Sequence, residues 1–404
     1  MNILFVGKFY PKKLLSTVVE DSKGLVGMSN HNFEMSLING LCQHTNIDLK
    51  CLTMPGVYSF PYHNRKWFTK AELYNHNGIQ ISSVSFCNLV VLKEIWATIS
   101  LIIQIIKHVL VFNGDRVDII VNTPNNKILR AVSFAKVFTK KTLTLTVIIP
   151  DIPSMVSSMD KQNAIKGFFL KYLNNYSMRK VCSCNGVVLL TEAMMDFINY
   201  PIKHMVMEGI VDIESMTISE SEKISDKEII LYTGTLRKIF GVMNLVRAFQ
   251  QIKKENVELW ICGSGDSQQE IADIAQKDGR IKFFGLVDSQ TALKMQHQAT
   301  ILINPRTNEG EYTKYSFPSK TMEYLHAGKS VIINKLSGIP EEYYNYVYTP
   351  YDESVESLAQ CISDVLSMEP DVRREKAERG KEFVISQKNS KTQTLRIIEM
   401  IKTY

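Results

Sequence analysis

The chain has 404 residues, 45% of them hydrophobic and 22% charged, with a formal net charge of +6. That is the composition of a soluble protein long enough for two domains, and the seven scattered cysteines, odd in number and with no CxxC pair, read as reduced cytosolic thiols rather than a metal knuckle. The charge is uneven. Residues 1–200 carry 21 Lys and Arg against 12 Asp and Glu, and the rest 26 against 29; a basic half points to an anionic partner, either a membrane leaflet or phosphates, with no aromatic–basic interleaving of a nucleic-acid module.

The chain opens on a strand, "MNILFVG", with no positively charged leader before an apolar run, so no secretory signal is expected. "GLVGMSNHNFEM" places Gly24 and Gly27 ahead of a helical pattern that includes Asn30 and His31. Strand-like runs follow at "IDLKCLTM" and "IQISSV". "EIWATISLIIQIIKHVLVF", residues 94–112, is strongly apolar but is interrupted by Gln104, Lys107 and His108. It falls short of the roughly 18–20 unbroken apolar residues of a membrane span, and reads as a buried or partly membrane-facing helix. Next come "VDIIVN", "TLTLTVII" and "GVVLL", with Asp151 just past the second of these. The polar stretch 206–227 is read as a linker between a first domain, 1–205, and a second, 228–385.

In the second domain the strands "EIILYTG", "VELWICG", "IKFFG", "ATILIN" and "SVIIN" alternate with helical stretches. Continuous apolar strands between helices imply parallel sheets covered on both faces, hence two doubly wound α/β domains. Residues 386–404 form a last amphipathic helix able to pack on either domain. Ligands of such sheets bind beyond the carboxyl ends of the strands. Three turns qualify: Gly234, Thr235, Arg237 and Lys238 after the first strand, Gly263 and Gly265 after the second, and "NPRTNEGEYTKYSFPSKTME" after the fourth. The third leads into a short helix with Phe317, Pro318, Met322 and Leu325 on an apolar face and Ser316, Ser319, Lys320 and Glu323 on another. A helix start with a lysine suits phosphate, and a carboxylate at i+3 suits a pair of sugar hydroxyls; a nucleotide diphosphate with its ribose fits both.

"YTGTLRKIFGVMNLVRAF", "ELWICGSGD", "RIKFFGLV" and "ILINPRTNEGEYTKYSFPSKTMEYLHAGKSVI", in this order over about 170 residues, resemble the C-terminal half of the family-four retaining glycosyltransferases, nearest the bacterial capsule and exopolysaccharide branch. The resemblance implies a GT-B fold of two Rossmann-like domains facing a cleft. It implies a nucleotide-sugar donor held by the second domain, a glycan or lipid-linked acceptor, and no metal or other cofactor. A cytoplasmic-face enzyme is expected, attached loosely to an anionic membrane through the basic first half and the apolar stretch 94–112. Glu323 matches the second Glu of the family signature, which holds the donor ribose. Tyr315 stands where the first Glu is expected, with Glu309 or Glu311 as substitutes, and Thr235 and Phe240 stand where the family tends to place Arg and Lys.

Arg237 and Lys320 are therefore the expected diphosphate cations. Gly234, Thr235, Gly263, Tyr315, Phe317, Pro318, Ser319 and Glu323 are the expected donor contacts. Asp151 is a further catalytic candidate, Gly27 and Asn30 are acceptor-side residues, and His31 and His326 are weaker cleft candidates. The rival readings are a GT-B nucleotide-sugar epimerase, an oxidoreductase using "CGSGD", which lacks the full GxGxxG, and a non-catalytic nucleotide-sugar-binding protein.

Overall fold

The computed structural model describes residues 1–23, 26–68, 73–76, 78–152, 177–198, 200–216 and 226–404. The chain divides into two compact units, Met1–Ile210 with Ser390–Tyr404, and Val211–Asn389. The division falls five residues beyond the expected end of the first domain at 205. Residues 217–225 of the expected linker, and Gly24, lie outside the described residues.

The first unit contains β1 (Asn2–Gly7), β2 (Asp48–Thr53), β3 (Trp67–Phe68), β4 (Leu73–His76), β5 (Ile79–Ser83), β6 (Phe86–Cys87), β7 (Arg116–Asn122), β8 (Thr142–Ile149), β9 (Gly186–Leu189) and β10 (Lys203–Val206). Eight of them make one sheet in the order β10-β9-β8-β7-β1-β2-β5-β4, and β3 pairs with β6 in a separate antiparallel ribbon. Ile3, Leu4, Phe5 and Val6 of β1 are all fully buried, because both faces of a central parallel strand are covered. The sheet departs from the all-parallel expectation at one edge, where β4 runs antiparallel to β5. The strands that periodicity missed are short or at an edge; in β10, Lys203 and His204 are exposed, so no apolar run marks it.

The last helix, Ser390–Lys402, belongs to this first unit. Ile397, Ile398 and Ile401 join the core formed by Ile3, Phe5, Leu37, Ile38 and Leu41. Gly40 permits the approach: a Cβ there would sit 2.2 Å from the Ser390 carbonyl oxygen. Arg116 donates to the Ile401 carbonyl at 2.9 Å, tying the helix end to β7.

The second unit contains β11 (Glu228–Thr233), β12 (Val257–Cys262), β13 (Ile281–Gly285), β14 (Ile301–Asn304) and β15 (Ser330–Ile333). They form a parallel sheet in the order β13-β12-β11-β14-β15. Val242, Leu245, Val246 and Phe249 recur at helical spacing and bury one face of the helix Val242–Gln251 against this sheet. Leu358, Ile362 and Val365 of the helix Val355–Ser367 close the same core.

Candidate functional site

In the second unit the chain runs outward from β11 to β12 and β13, then returns to β14 on the other side. The segments leaving β11 and β14 diverge there, which is where open α/β sheets bind ligands. Gly234, Thr235, Leu236 and Arg237 follow β11; Pro305 and Arg306 follow β14. Gly241, at φ 74°, seats the first loop on the second, and a Cβ there would meet the Pro305 carbonyl oxygen at 2.1 Å.

Arg306 is held flat at this point. Its guanidinium lies 4.8 Å from the ring centres of both Phe240 and Tyr312, and Nη1 donates to Ser316 Oγ at 3.5 Å. Tyr312 is itself fixed by its hydroxyl, which donates to the Ile239 carbonyl at 3.3 Å. Arg306 Nε is buried without a hydrogen-bond acceptor. Arg237, half-buried, lies 5.9 Å from the same Phe240 ring. Two guanidiniums thus lie 5.9 and 4.8 Å from one aromatic ring at the switch point, and the guanidinium's planar fork suits oxyanions. Beneath them Tyr232 donates to the Thr235 carbonyl at 2.9 Å, and burial pushes its phenol well above the ordinary range.

The glycines of the first two turns also contact one another. Gly263, at φ 142°, lies so close to the β11 turn that a Cβ would sit 1.8 Å from the Gly234 carbonyl oxygen. Gly234 N–H donates to the Cys262 carbonyl at 3.0 Å. The close approach these residues permit here is backbone to backbone, joining the ends of β11 and β12.

In the third turn, Tyr315, Phe317 and Pro318 are buried, so their side chains serve the core: Phe317 packs on Tyr343 at 5.2 Å. The helix is Lys320–His326, beginning later than the apolar pattern suggests, with exposed Ser319 before it. Thr321 and Met322 N–H groups turn back onto the Pro318 and Ser319 carbonyls at 2.9 and 3.1 Å. Glu309 and Glu311, the substitutes considered for the missing first carboxylate, are both exposed.

Lys320 Nζ lies 2.5 Å from Glu323 Oε2. The lysine expected to face a diphosphate is, in the protein alone, the partner of the carboxylate one turn on. Gln296, fully buried, donates to Glu323 Oε2 at 3.4 Å and to Thr233 Oγ1 at 3.1 Å. Tyr324 OH accepts from Thr233 N–H at 2.9 Å. Glu323 is therefore held from two sides and is linked to the last residue of β11, beside Gly234.

In the first unit the strand order reverses between β1 and β7. Glu34 is wholly buried there. It accepts from Lys8 N–H at 2.7 Å, from Asn30 Nδ2 at 2.9 Å and from Asn122 Nδ2 at 2.8 Å. Burial raises its pKa, against the lowering effect of those hydrogen bonds. Asn30 is thus a member of a buried network, while Gly27 is exposed at the helix start, with φ −71° that any residue adopts. Asp151 is exposed, two residues beyond β8. His31 and His326 are packing residues: His31 Nδ1 accepts from Tyr10 N–H at 3.3 Å, and burial holds the His326 imidazole down to about 4.

Residues 227–368 match the family described as Glycosyl transferases group 1. No curated protein matches the sequence. Among solved structures, the chain is similar along its whole length to the Anabaena protein HepE in complex with UDP, at 14% identity, TM-score 0.64 and full coverage of both chains. It is similar to sucrose-phosphate synthase from Thermosynechococcus elongatus at 12% identity and TM-score 0.64, covering 100% of this chain and 99% of that one. An E. coli trehalose-6-phosphate protein bound with UDP-2-fluoro glucose follows at 9% and 0.67, again with coverage of 100% and 99%. The fold is GT-B.

Within this GT-B chain, sequence reasoning missed Arg306, Gln296 and Glu34. Arg306 stood in the quoted third turn, as the first cation after a strand end, but nothing local marks its stacking partners. Gln296 lies within a helix that carried no motif. Glu34 sat in the glycine-loop segment, and a carboxylate among Phe33, Met35 and Leu37 was the available signal.

Proposed function

We propose that this protein is a retaining glycosyltransferase that moves a sugar from a nucleoside diphosphate-sugar to a glycan or lipid-linked acceptor in surface polysaccharide synthesis. The observation that carries the reading is the pairing of two functions at one switch point: stacked guanidiniums for a diphosphate, and an anchored carboxylate for ribose hydroxyls. The group 1 glycosyl transferase match over the same unit supports it.

On this reading Arg306 and Arg237 meet the diphosphate, whose charge grows as the bond to the sugar breaks. Arg306 takes much of the role expected of Lys320, and Lys320 instead orients Glu323 on the ribose. The C–O bond from the anomeric carbon to the diphosphate breaks, and a bond to the acceptor oxygen forms on the same face. The acceptor proton passes to a phosphate oxygen of the leaving group. Tyr315 leaves no carboxylate at the signature position for a covalent intermediate, and Asp151, the further catalytic candidate, is given no nucleophilic role. No Asp-x-Asp pair occurs in the chain, so the reaction is read as metal-independent.

A panel of nucleoside diphosphate-sugars, with and without excess chelator, tests the proposal. One donor should raise the melting temperature and be slowly hydrolysed, equally with chelator present. If no donor binds, the reading fails; if turnover needs manganese, the cationic roles given to the arginines fail.

A further inference from the structure

The helix Val90–Val111 carries apolar residues on both faces, and among the described residues one of these faces packs inside the protein. Lys93, Ala97, Leu101, Ile105 and Val109 are buried in the first unit. On the outer side Leu92, Ile95, Trp96, Ile99, Ile103 and Leu110 recur at helical spacing and are each 47–60% exposed. Several of them line a groove of about 340 Å³. Trp67 extends the patch edge-on to Trp96, with ring centres 6.0 Å apart. The adjacent helix Asn126–Phe138 adds Val137 and Phe138, 78% and 68% exposed.

The charges around this patch choose its partner. Residues 90–141 hold eight Lys and Arg against three Asp and Glu. Two of those acids are already paired, Glu94 with Lys127 and Asp118 with Arg116. Lys107, Arg130, Lys136 and Lys140 are exposed. A second copy of the chain docked on the same face would set these cations against themselves. An anionic bilayer satisfies both the apolar stripe and its basic surround.

At 22 residues the helix is about 33 Å long, enough to cross a hydrocarbon core. It is nevertheless tied down along its inner face. Lys93 Nζ donates to the Val57 carbonyl, and His108 Nε2 lies 3.0 Å from Ser82 Oγ. Crossing would strip that face from the core, so the helix lies along the membrane.

We infer that this face docks on an anionic lipid bilayer, with the outer stripe of Val90–Val111 and the end of Asn126–Phe138 entering the acyl boundary and the surrounding cations resting on headgroups. The tryptophans sit at the level where aromatic side chains anchor proteins to membranes. The inference goes beyond the transferase reading, and neither donor nor acceptor enters its test.

The chain has three tryptophans, and Trp260 is buried in the second unit. In a Trp260→Phe background, Trp67 and Trp96 report the patch. Flotation with vesicles of phosphatidylcholine, with and without phosphatidylglycerol, should show binding to the anionic vesicles. Tryptophan emission should shift to the blue and be quenched by acyl-brominated lipid. Ile95→Asp with Ile99→Asp, and separately Lys136→Glu with Lys140→Glu, should each lower partition about tenfold or more. Circular dichroism melts check the fold. If the aspartate pair does not fold, the charge-reversal pair and the quenching of the Trp260→Phe chain decide the matter. Absence of vesicle binding overturns the inference, as does binding without quenching. A blue shift produced by self-association without lipid would assign the face to a second copy instead.

Discussion

Arg306→Ala removes a guanidinium that lies over two rings, and its consequences separate cleanly. The two ring contacts at 4.8 Å are worth about 0.5–1 kcal/mol each, so the fold should lose roughly 1–2 kcal/mol and melt a few degrees lower. Donor binding should suffer more. A charge-assisted hydrogen bond to a phosphate oxygen is worth about 1.5–3 kcal/mol, or about one to two orders of magnitude in Kd. Arg306→Lys keeps the charge but loses the planar fork and its stacking, so it should recover only part of the affinity. Isothermal titration with the nucleoside diphosphate that stabilises the wild type gives the main readout. The matching nucleoside is the control, because it lacks the phosphates and should bind all variants alike. Unchanged nucleoside diphosphate affinity in folded Arg306→Ala would refute the assignment. An equal loss for nucleoside and nucleoside diphosphate would show that Arg306 only supports the fold.

Glu323→Ala should weaken donor binding by about one to two orders of magnitude while leaving the nucleobase preference intact, since it removes charge-assisted bonds worth roughly 1.5–3 kcal/mol; unaltered titration of the folded variant would unseat it. The product should keep the donor's anomeric configuration, which NMR of the new linkage reads directly; a trapped glycosyl-enzyme on Asp151 would leave retention standing and displace same-face attack. His326 supplies a pH test of the second unit. Burial first, then His297 and Lys381, depress its folded pKa to about 4, below the ordinary 6.5. The folded state therefore favours the neutral ring. Its contribution to stability is complete above about pH 6.5 and is lost as pH falls through about 4. His326→Gln should flatten that part of the melting-temperature profile, and a profile as steep as wild type would contradict the assignment.

Much of the architecture was legible in the chain because buried parallel strands leave continuous apolar runs. "NILFV", "VDIIVN", "EIILYTG" and "VELWICG" all mark central strands, and their alternation with helices sets two parallel-sheet units. The i, i+3 spacing of Lys320 and Glu323 likewise fixed their adjacency on one turn. Periodicity, however, reports only which way a residue faces on its own element. It does not report what another segment places there. Only the tertiary structure set the rings of Phe240 and Tyr312 against Arg306, and brought Gln296 against Glu323. It also decided that the last helix packs on the first unit through Gly40, and that Gly263 makes room for the Gly234 carbonyl. The helix Val90–Val111 shows the limit most clearly. It carries apolar residues on both faces, and its spacing alone does not distinguish the face bound inside the unit from the face left outside; that was decided by the packing of Ala97, Leu101 and Ile105 into the core.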